Sequence, residues 1–184
     1  MFKNIREGIR HWFLKNALKN LKRKKRIFSY KDALRFGILY DASTEENYRQ
    51  ITLLVKELQQ DQKKVKTLGF VAQKKMPDYC FPKLTFEFCN TGYFGWNQQP
   101  VAPNVKEFIA ADYDVIIDLT PSVVFHAKFL TSLSNVPFKV GRYHEKYVDL
   151  YDLMIQIDDN SSLEDAAKHT MYYLKMLNND RSDD

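Results

Sequence analysis

Cysteine is nearly missing from this sequence, and the two that occur, Cys80 and Cys89, supply neither a disulfide framework nor the spacing of a zinc site. No signal-peptide pattern precedes them, so a reducing cytoplasm is the expected compartment. Long apolar runs are missing as well. The most continuous, Val115–Ile117 and Val123–Phe125, fall far short of the ~20 residues of a spanning helix, and no membrane crossing is expected. There is no glycine-rich phosphate loop either. Where a pyrophosphate would sit after the first predicted strand, the chain reads Asp41, Ala42, Ser43, Thr44, Glu45, Glu46, and these carboxylates disfavour ordinary dinucleotide binding. The four histidines, His11, His126, His144 and His169, are scattered without metal-ligand spacing and read as surface or packing residues. The sequence therefore calls for no metal and no cofactor.

What is present is one domain's worth of core and a marked charge asymmetry. Apolar residues make up 45% of 184, enough to fill a core beneath helices and a sheet. Residues 1–28 carry ten Lys and Arg against a single acid, Glu7, whereas the rest of the chain has 18 basic against 22 acidic residues. A basic arm joined to a mildly acidic body is a statement about partners.

The arm reads as a helix from Phe2 to about Ile27. It has no proline, and its apolar residues form two stripes: Phe2, Ile5, Ile9, Trp12 and Phe13, then Leu14, Ala17, Leu18 and Leu21. The cations Lys15, Lys19 and the run Lys22, Arg23, Lys24, Lys25, Arg26 face water or a polyanion, since no core buries five consecutive charges.

From Phe36 the period changes. Phe36–Tyr40 reads as a buried strand ended by Asp41, followed by a helix with Ser43 as N-cap, Glu46 completing a capping box, and a stripe of Ile51, Leu54, Val55 and Leu58. Further strands are predicted at Val65–Val71, Leu84–Cys89, Val115–Leu119, Phe138–Gly141 and Leu153–Ile157. Helices are predicted around Val105–Ala110, from Thr120 (N-cap) and Pro121 to about Ser134, and from Ser161 to Leu177. Six strands alternating with about four helices specify an α/β fold, a single Rossmann-like, mostly parallel sheet with helices on both faces plus the basic N-terminal helix. The boundaries expected are an arm over 1–28, a body over 29–177 that folds without the arm, and a polar tail over 178–184.

The stretch Tyr113–Thr120 (YDVIIDLT), with Leu130, Ser134–Pro137 and Phe138–Arg142, resembles a piece of the N-terminal Rossmann-like half of heptosyltransferase-like glycosyltransferases. That family works with two such halves and this chain has room for one, so the resemblance implies the scaffold and not the activity. Asp118 ending a central strand also resembles the acceptor position of receiver domains, without the acidic pair or the closing Lys-Pro. The whole chain resembles uncharacterised bacterial α/β proteins with a basic N-terminal helix, an aromatic loop and the Asp-Val-Ile-Ile-Asp strand.

In an open parallel sheet, ligands bind beyond the carboxyl ends of the strands, which brings Asp41, Ser43, Thr44, Asp118, Thr120, Arg142 and His144 to one rim. Asp41, Asp118 and His144 are the candidates for acid, base or Mg²⁺ chemistry; Ser43, Thr44, Thr120 and Arg142 are candidate ligand contacts. Helix capping and local turns account for the same residues without chemistry. Tyr93 and Trp96, in the loop Asn90–Asn97, could stack a base or sugar or simply lid the core. The sequence favours a non-enzymatic interaction module whose basic helix binds a polyanion, RNA or ribonucleoprotein slightly ahead of an anionic membrane surface. The alternatives are a small enzyme or nucleotide- or sugar-binding domain using the rim, and a structural subunit or homo-oligomer with the helix in a protein interface.

Overall fold

The computed structural model describes residues 2–177, with side chains from Gly8 onward. The expected tail 178–184 and the side chains of Phe2 and Ile5 lie outside the described residues. The expected α/β architecture is present. Six strands, β1 (Arg35–Asp41), β2 (Lys64–Val71), β3 (Phe86–Asn90), β4 (Val115–Asp118), β5 (Phe138–Arg142) and β6 (Leu153–Ile155), form one sheet in the order β3-β2-β1-β4-β5-β6. Every pairing is parallel. The helices are α1 (Phe2–Asn20), α2 (Glu45–Gln60), α3 (Pro103–Ala110), α4 (Phe125–Leu133) and α5 (Leu163–Met176).

Alternation along the strands builds a core on each side of the sheet. Phe36, Ile38, Val115, Ile117, Phe138 and Val140 face α2 and α5, which present Ile51, Val55, Leu58, Ala166 and Leu174. Leu39, Leu68 and Ile116 face α3 and α4 through Val105, Phe108, Ala127 and Leu130. A third cluster stacks α1 outside α4: Leu14 meets Phe125 and Phe129, with Phe13, Ala17 and Leu18 packed around them. The helical layers are therefore two on one face of the sheet at this edge and one on the other.

Four local expectations are corrected. The N-terminal helix stops at Asn20 rather than near Ile27, because Arg26 and Tyr30 spend their backbone N–H groups on the Pro137 and Leu174 carbonyls, which no continuing helix could do. The cap of α2 is Thr44, whose hydroxyl accepts from Asn47 N; Ser43 instead accepts from Ala72 N, tying the end of β1 to the end of β2. Likewise Ser162, not Ser161, caps α5. Finally, Thr120 and Pro121 open a turn and not a helix: α4 begins at Phe125 without a side-chain cap, since the Thr120 hydroxyl is already committed below the rim.

Candidate functional site

The rim residues lie at the carboxyl ends of the strands, as the sheet requires, but they separate into three groups. Asp41 closes β1 in a local turn, its carboxylate accepting from Ser43 N at 2.9 Å. It stands two residues beyond Leu39, the register partner of Asp118, so the two carboxylates are not side by side. Arg142, at the end of β5, donates to the Leu119 carbonyl at 3.2 Å and the Asp158 carbonyl at 3.0 Å, bracing two loops. His144 accepts through Nδ1 from Lys146 N, which leaves Nε2 as the donor of the neutral ring.

Asp118 is the centre of the third group and is 1% exposed. One carboxylate oxygen accepts from Thr120 N (2.9 Å) and the Thr120 hydroxyl (2.6 Å); the other accepts from Lys128 Nζ (2.9 Å) and the Tyr151 hydroxyl (2.6 Å). Lys128 also donates to the Thr120 carbonyl at 3.1 Å. Burial pulls the Lys128 pKa below its ordinary value, and the Asp118 charge opposes that pull. Burial, with Asp118 adding to it, pushes the Tyr151 phenol well up, so it remains a neutral donor. Tyr151 reaches Asp118 across Gly141, where a Cβ would stand 2.5 Å from the ring; only glycine leaves this path open. Four donors fill both oxygens of Asp118, a closed and satisfied network of the kind that holds structure. Among the described residues, no group of three or more His, Cys, Asp or Glu could hold a metal ion.

The aromatic loop divides its residues. Phe94 lies 4.5 Å from His126, centroid to centroid, and Phe70 stacks on the same imidazole at 5.2 Å. Burial, with Arg10 nearby, holds the His126 pKa down at about 4. Tyr93 is half-buried against the same core, whereas Trp96 is 91% exposed and shares a recess with Ile9 and Arg10.

The arm is docked on the body. Its inner helical face, Leu14, Ala17 and Leu18, is the face used against α4, and residues 21–29 continue as an irregular strap. Arg23 leaves the cationic run at this point: its guanidinium makes a two-pronged pair with Asp152 at 2.7 and 2.8 Å and donates to the Pro137 carbonyl at 2.9 Å. Burial alone would raise the Asp152 pKa, but the hydrogen bonds from Arg23 and Lys139 N, with the charges of Arg23 and Lys25, hold it below the usual carboxylate value. Arg26 lies over the Phe28 ring, which itself enters the main core. Lys15, Lys19, Lys22, Lys24, Lys25 and Arg26 stay exposed. Between α1, the Ser122–Phe125 turn and the loop after β5 lies a cleft of about 720 Å³.

A family model matches residues 6–177, and its description is a family of unknown function (DUF6913). The chain belongs to that family. No curated protein and no solved structure matches it.

Sequence reasoning missed Lys128, Tyr151 and the Arg23–Asp152 pair. Lys128 sits in a helix otherwise full of buried apolar residues, and a cation among Phe125, Ala127, Phe129 and Leu130 was the signal that could have marked it as paired. Tyr151 and Asp152 carry no comparable mark, because their partners are set by the order of the strands. No described helix is long and apolar enough to cross a membrane.

Proposed function

We propose that the protein is a non-enzymatic docking module that sits on an anionic membrane surface through the outer face of α1 and the exposed cations of the strap. The observation that carries this reading is one helix face that exposes Trp12 (61%) and Ile9 (51%) beside Lys15 and Lys19, while the opposite face is used against α4. A helix lying in a bilayer interface gains from just this pairing of an apolar stripe with flanking cations. Trp96 and the strap's exposed Ile27 extend the apolar part, and Lys22, Lys24 and Arg26 extend the charge, each cation contributing about 1 kcal/mol near an anionic leaflet. RNA would use the same cations and could stack on tryptophan, but Ile9 and Ile27 would add nothing to it. The resemblance of residues 113–142 to a glycosyltransferase half is read as a common scaffold. On this reading the protein is cytoplasmic and peripheral at the inner face of the membrane.

Sedimentation of the full chain with vesicles of phosphatidylcholine, with and without phosphatidylglycerol, tests the reading. Binding should require the anionic lipid, weaken with salt, and vanish in an Ile9→Ser, Trp12→Ala variant that retains every cation. Binding to RNA at low salt that survives this variant, with no binding to vesicles, would make RNA the polyanion instead. If neither binds, the outer face of α1 is a protein interface.

A further inference from the structure

The geometry points to a ligand site of its own in the cleft between α1 and the strand-end rim, built for a small anion that carries a phosphate group next to an apolar moiety. The volume, about 720 Å³, is that of a small-molecule site, and it opens beyond the carboxyl ends of β4 and β5, where open α/β sheets receive ligands. Its lining holds two cations and two imidazoles and, among the described residues, no carboxylate. Arg10 and His11 enter from α1, and His144 and Lys146 from the loop after β5. None of the four forms an ion pair with a carboxylate among the described residues. Asp159, which meets the lining residue Ser122, is taken by its backbone and hydroxyl.

Arg10 and Lys146 carry full charges without a carboxylate partner among the described residues, and an arriving phosphate would take charge-assisted hydrogen bonds from both, with His144 donating through Nε2. The uncapped start of α4 at Phe125 adds positive potential at the same place. The rest of the lining includes the apolar side chains Leu14, Val123, Phe125 and Tyr147, with the Tyr147 ring beside His144. Arg10 is held over the Phe125 ring, 5.3 Å from its centroid, so one anion-binding group is fixed before a ligand arrives.

Gly8 is the most telling position. A glycine inside a helix costs about 1 kcal/mol relative to alanine, and close packing is the usual compensation. Here a Cβ would meet nothing within 4 Å, so packing against the body does not require glycine, yet Gly8 lines the cleft and keeps it open. The site shares α1 with the membrane reading, but it is read out by a soluble probe below its micelle concentration, so the two can fail separately.

A phosphate beside an apolar group can come from a soluble phosphate ester or from a phospholipid headgroup, and two probes separate these sources. Thermal unfolding and calorimetric titration of the full chain would be run with AMP and with dihexanoyl phosphatidylglycerol kept below its micelle concentration. One of them should raise the midpoint and bind saturably, and adenosine, lacking the phosphate, should not. Lys146→Gln should weaken that probe at least about 5-fold, a loss of about 1 kcal/mol. Gly8→Leu should keep or raise the unfolding midpoint, through helix propensity, while abolishing binding. The inference is overturned if neither probe binds, or if binding persists unchanged in both Lys146→Gln and Gly8→Leu.

Discussion

Replacing Lys128 by Met tests whether the buried network at Asp118 holds the fold. The substitution preserves most of the side-chain volume but removes the cation from a carboxylate that is 1% exposed. Asp118 would retain Thr120 N, the Thr120 hydroxyl and the Tyr151 hydroxyl, so three of its four donors survive. What remains is an uncompensated buried charge, and breaking such a pair from one side costs about 3–5 kcal/mol. For a chain of this size each kcal/mol moves the midpoint by about 2–4 °C, so the fall should be about 6–20 °C. Asp118→Asn should also destabilise, more at neutral than at alkaline pH, because a Lys128 without its partner unfolds less readily once it can shed its proton. The double variant should recover part of the loss, with a coupling of about 1–3 kcal/mol. Urea and thermal unfolding of the four proteins at pH 7 and pH 9 would measure this. Single variants within about 1 kcal/mol of the parent, or strictly additive losses, would refute the argument. Millimolar Mg²⁺ should not move the parent's midpoint, since the network already fills both oxygens of Asp118; a rise abolished by Asp118→Asn would restore the metal reading.

Three further outcomes follow from buried or bridging charges. Lys139 Nζ is buried with no hydrogen-bond partner, and burial, with Arg23 and Lys25 adding to it, pulls its pKa down to about 7. The unfolded chain therefore binds more protons between about pH 7 and 10, stability should rise with pH across that window, and Lys139→Met should gain on the order of 2–4 kcal/mol at pH 7 and flatten the rise; an unchanged pH profile of unfolding would sink this. His126 is held neutral with a pKa of about 4, below its unfolded value near 6.5, so its contribution should be lost as pH falls through that interval. By pH 4 the cost should be about 3 kcal/mol, and it should be missing in His126→Phe when the two acid unfolding curves are compared. Arg23→Met should cost about 3 kcal/mol and bring the acid loss of stability to a higher pH by raising the Asp152 pKa, whereas Lys24→Gln, exposed one residue away, should stay within about 0.5 kcal/mol in the same denaturation assay.

The elements whose side chains answer to one neighbouring layer were legible in the sequence. The stripe Ile51, Leu54, Val55, Leu58 is the buried face of α2, and the apolar run Val115–Ile117 is the strand buried on both sides, because periodicity and β-branching act over a few residues. Caps were displaced by one residue at Ser43 and Ser161, since neighbouring hydroxyls in each turn are chemically equivalent until the backbone chooses between them. The rim was legible as a place, because parallel strands must end on one side. Its chemistry was not.

The sequence by itself determined the α/β class, the two-faced core and the concentration of charge in the first 28 residues, all of which follow from local pattern and composition. Only the tertiary structure decided that the cationic run is an irregular strap, that Arg23 is spent on Asp152 while Lys22 and Lys24 are not, and that Asp118 faces Lys128 and Tyr151. Arg23 and Asp152 are 129 residues apart, and Tyr151 and Asp118 are 33 apart. Pairs at such separations are set by the order β3-β2-β1-β4-β5-β6, which brings β6 beside β5 and lays the strap across their ends. Burial then gives each charge its meaning: the same lysine or arginine is a solvated surface cation at one position and half of an obligatory pair at another, depending on how much water the fold leaves around it.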